Sequence, residues 1–196
     1  MDPVWWVVIG AAVAAVVIVL MVVGIFNRLV QLRTGTKNAW SQIDVQLKRR
    51  YDLIPNLVET VKGYAKHEKE LLENVTKARG ACLGALAGAA GGAGGMAALG
   101  QAEGQLMGGM RALLAIVENY PDLKANENFK ALMEELSSTE NKVSFARQFY
   151  NDSVAVYNVK IEQFPSNLIA GMFSFKPCEF FQIENPEERK AVQVKF

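Results

Sequence analysis

Residue types that carry catalysis are few in this sequence, and they lie far apart. The only histidine, His67, lies in a charged run, and the two cysteines, Cys82 and Cys178, are distant from each other. One histidine cannot supply the two Glu-x-x-His motifs of a carboxylate-bridged di-iron site, and neither an HExxH zinc motif nor a GxSxG nucleophile motif occurs. We therefore predict that the chain is not an enzyme and that it holds no cofactor and no metal.

Serine and phosphate chemistry are not indicated either. Ser137 and Ser138 follow two glutamates, but nothing in that stretch supplies a base that would activate a hydroxyl, so the pattern is typical of a solvated helix face. A phosphate-binding loop needs the pattern GxxxxGK[ST], and no Lys or Arg occurs from Gly80 to Met110.

The charge balance argues against a second class of function. The 196 residues contain 21 Lys and Arg against 20 Asp and Glu, which leaves a net charge of +1. Nucleic-acid-binding chains gather a basic excess on one face, whereas basic and acidic residues are interspersed here. We expect no nucleic-acid partner. The two isolated cysteines indicate neither a disulfide framework nor a zinc site, and they fit a reducing compartment.

The first 26 residues have the pattern of a membrane anchor. No residue from Val4 to Phe26 is charged, and a helix of this length rises about 34 Å, enough to cross the ~30 Å hydrocarbon core of a bilayer. Trp5 and Trp6 stand where interfacial aromatic rings hold the end of a spanning helix. A cleaved signal peptide is the alternative, but it has a positive N-terminal region and a shorter apolar stretch.

The charges that flank the anchor predict its orientation. Arg28, Arg33 and Lys37 follow the apolar run, and Asp2 is the one charged side chain before it. Because basic loops stay on the cytoplasmic side, we predict a single-pass membrane protein with a cytoplasmic C-terminal domain.

Beyond the anchor, apolar residues recur every three or four positions, the period of a helix that buries one face. Asn126 is a candidate N-cap for the last helix, and Pro165 is expected to end it. Pro55 lies inside the first helix and is expected to kink it or to mark a local boundary. The pattern predicts four helices, at residues 28 to about 64, about 67 to beyond 79, about 102 to 119, and 126 to 164.

Four amphipathic helices with short connections predict an all-α fold, an elongated antiparallel up-down-up-down four-helix bundle over residues 27–164. The first and last helices then pair at residue numbers that sum to about 190. This register places Arg50 opposite Glu140 and Asp44 near Arg147, and buried charges must be paired to be tolerated. We predict two interhelical ion pairs that fix the register. The alternative is that the row of apolar residues gradually winds around each helix, in which case these charged side chains reach solvent.

Residues 80–109 form a glycine- and alanine-rich insert between the second and third helices. Three interpretations stay open. The insert is a flexible hairpin, because glycine costs a helix about 1 kcal/mol relative to alanine; or it is a small-residue face through which copies of the chain associate; or it is a second, weakly hydrophobic membrane segment. The glycines that recur at i, i+4 spacing are Gly80, Gly84, Gly88 and Gly92, followed by Gly100, Gly104 and Gly108.

Residues 165–196 contain a phenylalanine-rich segment and a charged tail. Phe173 and Phe175 are among five phenylalanines between residues 164 and 181. The last helix is expected to return this segment to the membrane, where it either seats the bundle on the lipid interface or caps the open end of the bundle core. The remainder, from Gln182 to Phe196, has the pattern of a mobile tail.

Five blocks of this sequence resemble the bacterial LemA family. They lie in the order of that family between about Asn27 and Phe181, and the insert at 80–109 looks longer than is usual there. The blocks are AWSQIDVQLKRRYDLIPNLV from Ala39, YAKHE from Tyr64, YPDLKA from Tyr120, ELSSTENKVSFARQFYN from Glu135, and the segment Phe164–Phe181.

The resemblance implies a helical bundle anchored in the bacterial inner membrane, without a known enzymatic activity. It also implies a setting, because relatives are associated with envelope stress, with membrane proteases and with the building of magnetosome membranes. We predict a non-catalytic scaffold that self-associates and organises membrane or partner proteins. The alternative is an adaptor for a membrane protease or an envelope-stress partner. The expected partners are the lipid bilayer, further copies of the chain and a membrane protein.

Overall fold

The computed structural model describes residues 3–65, 67–89 and 94–182. No strand occurs in this part of the chain, which confirms the all-α class. Residues 183–196, which make up nearly all of the predicted mobile tail, lie outside the described residues. The helices are α1 (Pro3–Tyr64), α2 (Lys69–Ala89), α3 (Gly95–Val117), α4 (Pro121–Ala125), α5 (Glu127–Glu162) and α6 (Ser166–Met172).

The structure decides two of the predicted helix boundaries. α1 continues from the apolar segment through Pro55 to Tyr64, so this proline does not end the helix. α5 begins after Asn126, whose Oδ1 accepts the Phe129 backbone N–H at 3.0 Å. This is the N-cap interaction that satisfies a free N–H of the first turn, and it confirms the role predicted for Asn126.

The flexible-hairpin interpretation of residues 80–109 is wrong for most of the insert. α2 continues through Gly80, Gly84 and Gly88 to Ala89, and α3 holds the second run of glycines. Gly92 lies outside the described residues. A second membrane segment is not indicated either, because α1 is the one helix in the described part of the chain that is long and apolar enough to cross a bilayer. Packing against a neighbouring helix offsets the low helix propensity of glycine.

α2 and α3 pack closely at two glycines of α3. A Cβ on Gly95 would lie 2.7 Å from both Ala89 Cα and Gly88 O, and a Cβ on Gly109 would lie 3.2 Å from Val75 Cγ2. The start of α3 therefore meets the end of α2, and its later turns meet the earlier turns of α2, so the two helices run antiparallel. Their buried apolar residues include Leu72, Val75, Leu86, Leu99, Leu106 and Leu113.

The chain forms two compact units, each assembled from segments that are distant in sequence. The first contains Met1–Ala39 and Tyr150–Cys178, and the second contains Trp40–Phe149 and Glu179–Phe196. The predicted domain 27–164 is therefore divided between them. In the first unit, the core residues are Leu29, Tyr157, Ile161, Ile169 and Ala170, against which Phe26 and Phe175 pack.

Within the second unit, contacts between α1 and α5 occur in opposite chain order. Arg50 contacts Glu140, and Tyr64 Oη accepts a 3.0 Å hydrogen bond from Asn126 Nδ2. Both pairs of residue numbers sum to 190, as the sequence pattern predicts. The apolar residues of α1 that recur every three or four positions are buried as expected at Ile43, Leu47, Ile54, Leu57 and Val61, whereas Tyr64 at the end of this pattern is exposed.

The close approach of α3 to α2 is testable by adding one methyl group. Gly95→Ala should lower the free energy of unfolding by about 1–3 kcal/mol, because the new Cβ would collide with backbone atoms that cannot rotate away. Gly35→Ala is the matched control, since a Cβ there meets nothing within 4 Å and should stabilise α1 by about 0.5–1 kcal/mol. Denaturation of the full chain followed by helical circular dichroism measures both. Equal effects of the two variants would contradict the observed packing.

Candidate functional site

Polar side chains are clustered in the interior of the second unit, where apolar helices surround them. Arg50 and Tyr51 are successive residues of α1, Glu103 belongs to α3 and Glu140 to α5. The side chain of Arg50 is 8% exposed and that of Glu103 is 0% exposed. Because a charge in a low-dielectric interior loses its hydration, each of these groups needs a partner inside the protein.

Arg50 pairs with two carboxylates at once. Its Nη1 lies 2.5 Å from Glu140 Oε2, and its Nη2 pairs with Glu103 Oε2. The Tyr51 hydroxyl donates a hydrogen bond to the other carboxylate oxygen, Glu103 Oε1. Two neighbouring side chains of α1 thus hold both oxygens of Glu103, and the planar guanidinium of Arg50 links α1, α3 and α5.

The predicted partner of Arg50 is present, but Glu103 was missed. Glu103 lies in the insert at residues 80–109, where the many glycines and alanines hide the period of buried apolar residues at the start of α3. A signal was available, because the apolar positions Leu106, Leu113 and Val117, extended back in steps of three and four, reach Glu103 and then Leu99. A charge at such a position is typical of a buried group with a partner on another helix.

The structure does not bring the second predicted pair, Asp44 and Arg147, together. Asp44 Oδ2 instead accepts a 2.7 Å hydrogen bond from Lys48 Nζ, one turn later on α1, and forms an ion pair with it. An i, i+4 pair on one helix needs no fixed geometry between two helices, so it forms more readily at a partly exposed position. Arg147 is half-buried on α5.

α2 adds a further layer of contacts to the cluster. Arg79 Nε donates a 2.6 Å hydrogen bond to the Tyr51 backbone carbonyl, and Cys82 of the same helix is fully buried. Burial raises the pKa of Tyr51 and of Cys82 above their ordinary values. Both groups therefore keep their protons at neutral pH, so the phenol acts as a donor to Glu103 and the thiol is not an activated nucleophile.

The chemistry that this cluster supports is structural. The carboxylates accept hydrogen bonds and ion pairs, and Arg50 and Tyr51 donate them. Within residues 3–65, 67–89 and 94–182, no group of three or more His, Cys, Asp or Glu side chains is arranged to hold a metal ion. The interactions fix the relative positions of the helices of the second unit.

The predicted membrane-interface residues belong to the first unit. Trp5 and Trp6 are exposed in the apolar part of α1. The rings of Phe173 and Phe175 lie 4.8 Å and 5.8 Å from the ring of Phe26, the last residue of the apolar run. Phe173 is 51% exposed, whereas Phe175 is half-buried. The segment therefore both packs on the core of the first unit and presents an apolar side chain beside the apolar part of α1.

The two runs of glycine have different surroundings. In the first run, Gly80, Gly84 and Gly88 are exposed along one face of α2, and a Cβ at any of them would meet nothing within 4 Å. In the second run, Gly100 is buried, Gly104 is half-buried and Gly108 is exposed. The first run thus forms an open face of α2, and the second lies partly inside the unit.

Comparison with known proteins gives a consistent result. The model of the LemA family matches residues 39–196. Magnetosome protein MamQ 2 of Paramagnetospirillum magneticum is 26% identical over 175 residues, which cover 80% of this chain and 64% of the relative. Protein LemA of Metamycoplasma hominis is 26% identical over 165 residues, which cover 84% of this chain and 72% of the relative. The chain therefore spans less than two thirds of the length of the magnetosome relative.

Removing Arg50 should be far more harmful than removing Glu140. Arg50→Met leaves Glu103 as a buried unpaired charge, and we expect a loss of about 3–5 kcal/mol in the free energy of unfolding. Glu140 is 44% exposed, so Glu140→Ala should cost about 0–1 kcal/mol. The double variant Arg50→Met with Glu103→Leu should recover most of the loss, because an apolar pair of similar size replaces the ions. Denaturant unfolding measures all three variants.

A charge swap is a poor test of this site, because Glu103 is a third member of it. Arg50→Glu combined with Glu140→Arg would place a new carboxylate at position 50 against Glu103. The swap should therefore fail to restore stability, although Arg50 and Glu140 are in contact. If the swap fully restored stability, or if Glu140→Ala cost as much as Arg50→Met, the central role of the Arg50–Glu103 pair would be contradicted.

Stability should fall as the pH rises above about 9. The folded chain keeps the Cys82 proton, whereas the unfolded thiol loses it near its ordinary pKa of 9.0. The unfolded state then binds fewer protons than the folded state, so alkaline pH favours unfolding. Tyr51 lowers the stability further above pH 10, because the unfolded phenol loses its proton near its ordinary pKa of 10.0 while the buried one keeps it. Unfolding curves of the wild type and of Cys82→Ala test this, since the variant should show a shallower decline between pH 9 and 10; parallel declines would contradict it.

Proposed function

This chain belongs to the LemA family, and we propose that it is a non-catalytic scaffold of the bacterial inner membrane that self-associates and organises membrane or partner proteins. The observation that carries the proposal is the open glycine face of α2, formed by Gly80, Gly84 and Gly88. The relatives named magnetosome proteins support a role at a membrane.

The apolar part of α1 supports a membrane anchor. Its side chains are exposed along the stretch that includes Val7, Val16 and Leu20. A single row of exposed apolar residues is common on soluble helices, but here all faces of the helix are apolar, which is typical of a segment covered by lipid. Arg28, Arg33 and Lys37 follow this stretch and favour a cytoplasmic position for the rest of the chain.

An antiparallel four-helix bundle is the arrangement that the contacts of the second unit favour. α2 and α3 are antiparallel at Gly95 and Gly109. α1 and α5 contact each other in opposite chain order at Arg50 and Tyr64. Because Arg50 also reaches Glu103 of α3, the two helix pairs share one interior. A bundle of this kind offers a rigid surface on which copies or partners can assemble.

The glycine face supports self-association. A glycine in the middle of a helix costs about 1 kcal/mol relative to alanine, and at Gly80, Gly84 and Gly88 no neighbouring atom of this chain would obstruct a methyl group. The fold of one copy therefore does not need these glycines. Bare Cα atoms one turn apart allow a second helix to approach closely, so a helix of another copy is the occupant that explains them.

The polar cluster supports the non-catalytic part of the proposal. Its groups already engage one another, because Arg50 pairs with both glutamates and Tyr51 donates to Glu103. Burial raises the pKa of Tyr51 and of Cys82, so neither is poised to exchange a proton near pH 7. Such groups hold helices in place.

A second candidate function is an adaptor for a membrane protease or an envelope-stress partner. An aromatic patch on the second unit favours it, because Phe145 is 71% exposed and Val45 and Phe149 are also exposed. Large aromatic side chains on a surface are the residues that most often contribute strongly to binding a different protein. This patch lies on α1 and α5, whereas the glycine face lies on α2.

Light scattering of the full chain in detergent tests the scaffold directly. We expect an oligomer at micromolar concentration, and Gly84→Leu should raise the dissociation constant at least tenfold, because the added side chain blocks the close approach of two α2 helices. Gly35→Leu is the matched control, since Gly35 is another exposed helical glycine with nothing within 4 Å of a Cβ. A monomeric wild type would overturn the scaffold in favour of the adaptor. In that case, Phe145→Ser should reduce the recovery of a partner from native membranes.

A further inference from the structure

The short helix α6 packs in the same core as the last turns of the apolar part of α1. Ile169 and Ala170 of α6 belong to the core of the first unit, and Val22, Ile25 and Phe26 of α1 pack against that core. We propose that α6 lies in the bilayer interface as a second membrane contact and that it selects anionic phospholipids. This inference rests on the proposed membrane anchor and adds the class of lipid that the protein recognises.

The burial pattern of α1 sets the depth of α6. Residues 4–21 are exposed, whereas Val22, Ile25 and Phe26 are half-buried. These three residues lie within the stretch that lipid surrounds if α1 spans the bilayer, so the parts of the chain that cover them reach the same depth. Val22 and Phe26 are about 6 Å apart along the helix axis, and interfacial helices bury their apolar face about 5–10 Å deep.

The outward face of α6 is apolar. Leu168 and Met172, one turn apart on the helix, are exposed, and so are Phe164 and Phe173 on either side of it. Large apolar side chains that are grouped on a surface indicate a partner, because water disfavours them. Their position selects lipid as that partner, since the Phe173 ring lies 4.8 Å from the ring of Phe26, where the apolar run ends.

Positive charges predominate in the first unit beyond the apolar run. Residues 27–39 and 150–178 contain five basic side chains and two acidic ones. Anionic headgroups attract Lys and Arg side chains that lie near the membrane surface, so this excess favours anionic over zwitterionic lipid. The basic residues are Arg28, Arg33, Lys37, Lys160 and Lys176, and the acidic residues are Asp152 and Glu162.

Three of the basic residues lie near the level of the headgroups. Arg28 is exposed and lies about 3 Å beyond Phe26 along α1, within a headgroup layer roughly 5–8 Å thick. The guanidinium of Arg33 lies 5.9 Å from the Phe175 ring, which is itself 5.8 Å from the ring of Phe26. Lys176 follows Phe175 in the chain and is exposed. Cations thus lie beside the apolar surface, as a lipid with an anionic headgroup and an acyl chain requires.

Methionine methyl NMR of the full chain in nanodiscs tests the position of α6. The nanodiscs contain phosphatidylcholine and phosphatidylglycerol, with a small fraction of lipid that is spin-labelled near the headgroup end of its acyl chain. We expect this lipid to broaden the Met172 signal. We also expect a water-soluble gadolinium chelate to leave that signal sharp, although Met172 is exposed in the structure of the chain alone. Met21, within the apolar run, is the reference for a residue in lipid.

The two methionines separate a failure of this inference from a failure of the anchor. If Met21 is in lipid but gadolinium broadens Met172, α6 lies in water and only this inference is overturned. If neither agent broadens Met172, a protein surface covers α6, and again only this inference is overturned. If gadolinium broadens Met21, the proposed anchor is wrong and the inference fails with it.

Spin-labelled lipids with different headgroups test the preference for anionic lipid. In phosphatidylcholine nanodiscs, spin-labelled phosphatidylglycerol should relax the Met172 methyl group at least twofold faster than the same fraction of spin-labelled phosphatidylcholine. Arg28→Gln combined with Lys176→Gln should remove at least half of this difference, because it removes two cations near the headgroups. The methionine spectrum shows whether each variant is folded.

A charge farther from the membrane provides the matched control. Arg28→Gln alone should reduce the preference, whereas Lys37→Gln, which removes the same charge, should leave it unchanged. Residue 37 lies about 16 Å beyond Phe26, which exceeds the Debye length of about 8 Å at physiological ionic strength. Equal relaxation by the two lipids in the wild type, an unchanged preference in the double variant, or equal effects of Arg28→Gln and Lys37→Gln would each overturn the selection of anionic lipid.

Discussion

Arg50 carries a permanent charge in a mostly apolar interior, and residues of three helices in the second unit meet around it. Its guanidinium reaches Glu103 on α3 and Glu140 on α5, while Tyr51, the next residue of α1, holds the other oxygen of Glu103. A guanidinium offers several donors in a fixed plane, so it constrains both distance and orientation. Any rotation of α1 or sliding of α3 would leave at least one buried charge without a partner. We therefore expect the cluster to favour this arrangement of the helices over others that would separate its charges.

Glycine has two opposite roles in the insert. At Gly95 and Gly109 the backbone of α3 comes so close to α2 that a larger residue would collide with it, so the fold of a single copy explains these positions. At Gly80, Gly84 and Gly88 the chain meets nothing, and the same residue type leaves an open groove on the surface. Glycine has a low helix propensity at all five positions. Close contacts between α2 and α3 explain the glycines at 95 and 109, whereas nothing within one copy of the chain explains those at 80, 84 and 88.

The first unit combines the apolar part of α1 with residues from the other end of the chain. Phe26 ends the apolar run of α1, and Phe173 and Phe175 pack on it. Cys178 is held by two hydrogen bonds between its backbone and the side chain of Asn158, both 2.9 Å long. The C-terminal phenylalanines thus differ in exposure. Phe173 remains exposed beside the apolar part of α1, while Phe181 belongs to the second unit and is fully buried against Trp40.

The sequence by itself determined the helical class, the apolar N-terminal helix, the N-cap at Asn126 and the pairing of Arg50 with Glu140. These features follow from composition, from local capping and from a period of three to four residues that is visible in the chain. It did not determine the division into two units, since that depends on which distant segments pack together. The role of Glu103 and the partner of Asp44 were also decided by tertiary structure. A charge in a run of glycine and alanine has no local signature of burial, and a half-buried aspartate can pair either with a lysine on its own helix or with an arginine on another. The glycines show the same limit, because identical spacing gave a buried position at Gly100 and an open face at Gly84.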